Sequence, residues 1–322
     1  MSLISIVIPV YKNRETLAEA CRQIREVHTH SFPQHQIEII FIDDGSPDGS
    51  WTELERIRAE YPTCVNLVKL SRNFGQLSAM LAGYDTARGD AVIYISADLQ
   101  DPVNLMADMV AHWEKGNELV IAFRERREDS QVAQLFSRIA YTFADNSNRR
   151  MPKGGFDYLL MGRKSVDLMK TFKGQHRFFQ GDVLWMGFPT AFLPYVRRKR
   201  LHGKSGYTFM KKVKSFLDLM LDSSFLPIRM MSALGFLTAS AGMLYALSIV
   251  IAYFFRGQMP FAGWAPIMIA ILVIGGLIMM MLGVIGEYLW RIYDDIKGKP
   301  MYVIEKHVVI AATQADPPGS DR

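Results

Sequence analysis

Asp98 stands where an apolar run gives way to a loop, in the stretch Tyr94-Ile95-Ser96-Ala97-Asp98-Leu99-Gln100-Asp101-Pro102. In open α/β sheets, ligands bind beyond the carboxyl ends of the strands. A carboxylate there suits a hard cation bridging a diphosphate, because such cations take oxygen ligands. It equally suits the cap of a helix that starts after Pro102. Three other apolar runs end in polar groups: Pro9-Val10-Tyr11-Lys12-Asn13, Asp43-Asp44-Gly45-Ser46-Pro47-Asp48 and Ser71-Arg72-Asn73-Phe74-Gly75. Asp43 and Asp44 can accept from a base or ribose, Tyr11 can stack, and Arg72 with the Gly75 backbone can face phosphate. Each is weak alone, since Asp-Asp-Gly-Ser is a good turn sequence and Asn73-Phe74-Gly75 serves as a helix entry. Neither a Gly-x-Gly-x-x-Gly nor a Walker sequence follows the first run, so the dinucleotide fingerprint and the P-loop are both excluded.

The elements that must position these groups alternate. Runs 4–9, 37–42, 65–70, 91–95 and 119–123 are short, apolar and rich in β-branched residues, which predicts strands. Helical spacing separates them at 15–27, 50–61, 77–87 and 103–115. This order predicts an α/β head, roughly 1–200, with a mostly parallel sheet covered on both faces. No internal repeat or low-complexity segment interrupts it, and only 315–322 reads as disordered.

Composition argues against a simple soluble enzyme. Apolar residues make up 49% of the chain, and their excess lies in the last third. Stretches 230–255 and 261–286 carry no charged residue and exceed the roughly 20 residues that cross a bilayer core. They predict transmembrane helices at 230–255 and 262–289, joined by the tight turn 256–260 into a hairpin. Arg197-Arg198-Lys199-Arg200, Lys204, Lys211, Lys212 and Lys214 precede the first helix, and Arg291, Lys297 and Lys299 follow the second. By the positive-inside rule both flanks are cytoplasmic, in a multi-pass membrane protein. No signal peptide is expected, because Met1 leads straight into the first strand. Cys21 and Cys64 suit a reducing compartment. The net charge of +5 fits a surface facing anionic lipid, and the basic cluster's position beside a membrane helix speaks against nucleic acid as partner. Domain limits follow at 1–200, 201–229, 230–290 and a cytoplasmic tail 291–322.

Val7-Ile8-Pro9-Val10-Tyr11, Ile42-Asp43-Asp44-Gly45-Ser46-Pro47-Asp48, Leu70-Ser71-Arg72-Asn73-Phe74-Gly75-Gln76 and Ala97-Asp98-Leu99-Gln100-Asp101-Pro102 together resemble the family 2 glycosyltransferases of the GT-A fold. With the hairpin and basic linker, the chain to about Tyr302 is similar to polyprenyl-phosphate glycosyltransferases, namely bactoprenol glucosyltransferases and, more distantly, dolichyl-phosphate mannose synthases. The resemblance implies inverting transfer of a sugar from a nucleotide sugar to a polyprenyl phosphate at the cytoplasmic membrane face. It implies that Pro9, Tyr11, Asp43, Asp44 and Arg72 hold the nucleotide, with Gly75, Ala97 and Asp98 beside them. Asp98 and Gln100 match an Asp-x-Asp-x-Gln element that holds Mg²⁺ or Mn²⁺, with Ser96 in place of its first carboxylate. A hydroxyl is a neutral, weaker ligand than that carboxylate. The usual Asn-Glu after the first-strand Tyr is here Lys12-Asn13, and Lys12 either brings positive charge toward the diphosphate or faces solvent.

Residues 154–164 match an acceptor-side segment whose aspartate, here Asp157, is the implied catalytic base. A phosphate acceptor is already anionic, so Asp157 is expected mainly to orient the acceptor or a basic neighbour. Arg124 and Arg138 match arginines that meet the lipid phosphate, and Arg200 and Ser205 belong to a matching Arg-x-x-Gly-x-Ser-x-Tyr linker. Beyond it, 209–226 reads as an amphipathic helix in the headgroup plane. His176 to Asp182 with Trp185 resemble the acceptor helix, although a plain core helix explains Phe178, Phe179 and Trp185 as well. UDP-glucose is the donor that the resemblance favours, with UDP-N-acetylhexosamine as an alternative. Relatives form tetramers through the membrane region, and Gly275, Gly276, Gly283 and Gly286 permit close helix packing. A processive synthase would need more membrane helices and a Gln-x-x-Arg-Trp sequence, which is absent. A catalytically weakened membrane scaffold is the other rival, because Ser96 is the kind of change it would carry.

Overall fold

The computed structural model describes residues 1–125, 152, 155–197, 226–256 and 265–309. Arg138, Arg200, Ser205, the basic segment 201–225 and the end 315–322 lie outside the described residues. Eight strands, β1 (Leu3–Val10), β2 (Gln36–Asp43), β3 (Val65–Leu70), β4 (Ala91–Tyr94), β5 (Leu119–Arg124), β6 (Tyr158–Gly162), β7 (Thr190–Tyr195) and β8 (Ile304–Val308), form one sheet. Its order is β7-β5-β6-β4-β1-β2-β3-β8. The helices are α1 (Leu17–Ser31), α2 (Ser50–Glu60), α3 (Gln76–Thr86), α4 (Leu105–Glu114), α5 (Arg163–Thr171), α6 (Phe179–Trp185), α7 (Leu226–Arg256) and α8 (Ala265–Ile296).

The central strands are apolar throughout because both of their faces are covered. Ile4, Ile6 and Ile8 of β1 pack with Leu17, Cys21 and Ile24 of α1, Leu54 of α2 and Met106 of α4. On the opposite face Val7, Ile40 and Ile42 meet Ala79 and Tyr84 of α3 and Val166 and Met169 of α5. The apolar spacing of α1, at 17, 20, 21 and 24, is that of one buried helical stripe.

The chain runs outward from β1 through β2 to β3 and then returns to β4 on the other side of β1. The crevice at the carboxyl ends of β1 and β4 is therefore a topological switch point, where such sheets bind ligands. The sheet is mixed rather than purely parallel, since β6 runs antiparallel to both β4 and β5. That reversal brings the residues before β6 to the same edge as the ends of β4 and β5. β7 is parallel to β5, so its last residues reach that edge too.

The eighth strand comes from the segment expected to be a separate tail. After α8, β8 pairs antiparallel with β3, and Lys306 meets Glu55 at 2.7 Å while Lys69 meets Glu305 at 3.0 Å. The Tyr302 hydroxyl donates to Asp85. The end of α8 is tied to the head as well: the Gln175 amide donates to Asp295 at 2.8 Å, and His176 Nε2 lies 3.2 Å from Asp294. β8 thus covers what would be an open sheet edge.

α7 and α8 are long helices that pack on each other and carry exposed apolar side chains, among them Phe236, Phe254, Ile267 and Met279. Among the described residues one segment, 273–296, is long and apolar enough to cross a membrane, and 230–245 is apolar but shorter. The expectation of two spans thus meets two long helices but one segment of spanning length.

Ending the chain after Lys299 removes β8 and leaves the N–H and C=O groups of the β3 edge without partners. Hydrogen exchange should then accelerate about tenfold or more in 65–70 and stay unchanged in 4–8. Unchanged protection at 65–70 would show that the strand adds nothing to the edge.

Candidate active site

Asp43 ends β2 beside Val10 of β1. Its side chain is fully buried, with Oδ1 accepting the Ser46 amide at 3.1 Å and Oδ2 meeting no hydrogen-bond partner among the described residues. Burial raises its pKa above the ordinary carboxylate value. Asp44, next to it, accepts the Phe74 amide at 2.7 Å and the Gly75 amide at 2.9 Å, one on each oxygen. The Gly75 N–H, expected to face phosphate, donates to Asp44 in this structure. Gly45 makes this loop pairing possible. It has φ +66°, and a Cβ there would lie 2.7 Å from the Arg72 carbonyl carbon. The result is a braced loop carrying an exposed Arg72, whose guanidinium lies 4.1 Å from the centre of the Phe74 ring.

Across the switch point, Tyr11 is 43% exposed and presents its ring at the edge. The Lys12 ammonium lies 5.3 Å from the centre of that ring, and the Lys12 amide donates to the Ser46 hydroxyl at 3.1 Å. Pro9 is half-buried in β1 opposite Ile42. Lys12 and Leu99 have φ of 59° and 57°, a left-handed conformation that non-glycine residues adopt at a cost. Both follow a residue of interest in a strand-end loop, Tyr11 and Asp98 respectively.

The loop after β4 is pinned by the Thr16 hydroxyl, which donates to the Ala97 carbonyl at 2.7 Å. Asp98 accepts the Gln100 amide at 3.2 Å, while Ser96 and Gln100 are half-buried. α4 begins at Leu105 with Asn104 as its N-cap, so Asp98 does not cap that helix. Asp98 and Asp101 are nearly buried, at 6% and 2% exposure. The positive charge facing them is Arg197, with Nη2 3.7 Å from Asp98 Oδ2 and Nε 3.7 Å from Asp101 Oδ1. No group of three or more His, Cys, Asp or Glu side chains that could hold a metal occurs among the described residues. The donor set of Asp98, Gln100 and Ser96 fits a hard cation only if anionic ligand oxygens complete the shell.

From Asp101 a polar line crosses to the acceptor side. The Tyr195 hydroxyl donates to Asp101 at 2.6 Å, and the charge of Arg124 acts on both groups. Arg124 Nη2 lies 3.3 Å from Asp157 Oδ2. The other Asp157 oxygen lies 3.4 Å from Gln180 Nε2 of α6. Burial raises the pKa of Asp101, opposed by the Tyr195 bond and by the charges of Arg197 and Arg124. The Tyr195 hydroxyl is raised by burial and by Asp101. α6 is not a plain core helix: Val183 is its buried residue, and Trp185 is 60% exposed.

One edge thus gathers Pro9, Tyr11, Asp43, Asp44, Arg72, Gly75, Ser96, Ala97, Asp98, Gln100, Arg124 and Asp157. Arg138, Arg200 and Ser205 lie outside the described residues. Sequence reasoning gave no role to Asp101, Tyr195 or Thr16, counted Gln180 only within the acceptor-helix segment, and counted Arg197 only as part of a basic cluster. Asp101 had a signal in its place two residues before the helical run. Tyr195 and Arg197 had none, because β7 was not legible as a strand.

The family model described as "Glycosyl transferase family 2" matches residues 5–216. The chain belongs to this family. An uncharacterised glycosyltransferase of Bacillus subtilis, YkcC, is 34% identical over 94% of this chain and 93% of its own length. The SfII prophage-derived bactoprenol glucosyl transferase of Shigella flexneri is 32% identical over 94% of this chain and 97% of its own. Among solved structures, mannosyl-3-phosphoglycerate synthase from Rubrobacter xylanophilus is similar in fold, with TM-score 0.50 and 18% identity over 68% of this chain and 71% of that one. The protein is a glycosyltransferase, and its sheet edge is the candidate active site of a family 2 enzyme.

Burial of Asp43 has a consequence for stability. The folded group holds its proton to higher pH than the unfolded chain, whose carboxyl ionises near 3.8, so stability falls as pH rises through the folded pKa. Asp43→Asn should therefore melt higher than the parent at neutral pH, with a smaller loss of stability between about pH 4 and 7. Thermal melts across that range check it, and a variant that melts lower at neutral pH would refute the burial penalty.

Proposed function

We propose that this glycosyltransferase moves a sugar, glucose from UDP-glucose, onto a polyprenyl phosphate with inversion at the anomeric carbon. The observation that carries the reading is the polar row at one sheet edge, in which Arg197 joins Asp98 to Asp101, Asp101 accepts from Tyr195, and Arg124 beside them pairs with Asp157. It joins a diphosphate-facing end to a basic acceptor end across one switch point. Relatives named bactoprenol glucosyl transferases, matched over nearly their whole length, support both the acceptor class and the sugar.

In this reading Tyr11, with Pro9 beside it, and Asp43 receive the base and ribose, and Asp44 holds the loop from which Arg72 reaches the phosphates. Asp98, with Gln100 and Ser96, holds Mg²⁺ or Mn²⁺ together with the diphosphate. The cation supplies charge neutralisation of the leaving diphosphate. Arg124 orients the attacking lipid phosphate, joined by Arg138, Arg200 and Ser205. Asp157 fixes the Arg124 guanidinium and needs to remove no proton from an acceptor that is already anionic.

α8 spans the membrane and α7 is the second span of a hairpin. The ties from Gln175 and His176 to the end of α8 keep α6 and the acceptor side at the bilayer surface. That surface is the cytoplasmic one by the charge of the flanks. The exposed apolar faces of α7 and α8 suit assembly into a homo-oligomer within the membrane.

Purified protein supplied with undecaprenyl phosphate and a panel of nucleotide sugars should turn over UDP-glucose fastest. Asp98→Ala should lower that rate by about 100-fold or more, and chelation should abolish it until Mg²⁺ or Mn²⁺ is restored. Near-normal turnover of the variant would sink the metal assignment, and a parent that releases no nucleotide would mark a scaffold instead.

Asp157→Asn should raise the KM for the lipid phosphate about tenfold with kcat little changed. A 100-fold fall in kcat at unaltered KM would make Asp157 the base instead.

A further inference from the structure

Arg197 is the last described residue before the basic linker, and its side chain turns into the site rather than toward solvent phosphate. Its guanidinium faces two nearly buried carboxylates, Asp98 and Asp101, while its own side chain is one-third exposed. Both separations are 3.7 Å, which is a charge pair and not a closed hydrogen bond. Arg177 and Asp182 in the same head approach to 2.8 Å. Arg197 Nε is buried and has no hydrogen-bond partner among the described residues, so the contact leaves a donor unsatisfied. A lasting structural bridge between buried ions relies on good geometry and satisfied donors to offset desolvation. Here the separations are long and Nε is left unsatisfied.

Asp98 is also the carboxylate to which the reading above gives the divalent cation. Two positive species cannot share its outer oxygen without strong repulsion in so dry a place. We propose that Arg197 is a resident counter-cation of the Asp98–Asp101 pair: it neutralises the carboxylates in the cation-free protein and is displaced when the cation and diphosphate arrive. This rests on the reading of Asp98 as a cation ligand. Arg197 is thereby a positioning residue that sets the apparent affinity of the site for its metal.

The test is Mn²⁺ binding by the full-length protein in detergent with UDP present, followed by electron paramagnetic resonance of the free ion. Arg197→Gln should bind Mn²⁺ about tenfold more tightly than the parent, and Arg197→Lys, which keeps the charge, should resemble the parent. In the unaltered protein, phenylglyoxal labelling of Arg197 read by mass spectrometry should rise several-fold when Mn²⁺ and UDP are added. An unchanged or weaker Kd in Arg197→Gln, or labelling that stays flat while Mn²⁺ binds, overturns the exchange and leaves the cation site standing. If Asp98→Asn binds Mn²⁺ as tightly as the parent, the cation assignment itself fails, and the exchange fails with it.

Discussion

Four carboxylates crowd one edge of a sheet where water scarcely reaches them. Asp43, Asp44, Asp98 and Asp101 are each at most 6% exposed, and burying an ionised group without partners is costly. Much of the local architecture answers that constraint. Asp44 takes two backbone amides, Asp98 takes the Gln100 amide and faces Arg197, and Asp101 takes the Tyr195 hydroxyl. Asp43 keeps a buried oxygen, Oδ2, without a hydrogen-bond partner among the described residues. The loops are shaped to deliver these partners, even at the expense of left-handed backbone at Lys12 and Leu99. Such concentrated strain and charge are what a site keeps when function, not stability, is selected.

The same edge depends on strands that are distant in sequence. β6 reverses direction, which is what places Asp157 next to the ends of β4 and β5. β7 supplies Tyr195 and Arg197 from the far side of the sheet. At the opposite border β8 returns from beyond α8 and pairs with β3. That border of the sheet is thereby tied to α8. The Gln175 and His176 contacts add a second tie, next to α6 and its Gln180.

The first five strands and the helices between them were legible because short apolar runs buried on both faces and a single apolar helical stripe leave a local signature. α1 shows it in Leu17, Ala20, Cys21 and Ile24. The site was legible in half. Polar strand ends on one edge pointed to Tyr11, Asp43, Asp98 and Arg72, since strand direction alone determines which loops share an edge. β7 and β8 were not legible, because Thr190–Tyr195 is half-exposed and interrupted by Pro194, and Ile304–Val308 alternates with Glu305 and Lys306 as an edge strand must. The partners they bring were lost with them. The partner of the Gly75 N–H was not legible for a related reason: it is a side chain from a different loop, Asp44.

Ser96 and Arg197 are best understood together. With a carboxylate at 96, the loop after β4 would place three acidic groups, 96, 98 and 101, in one nearly dry volume. With serine there, Asp98 and Asp101 share Arg197, and Arg124 and the Tyr195 hydroxyl also act on Asp101. On the proposed reading of Asp98 as a cation ligand, a site so close to neutrality would hold a divalent ion weakly by itself, and the anionic oxygens of a diphosphate would become part of the binding set. On that reading, serine at 96 is what allows an arginine to reside beside the cation ligand.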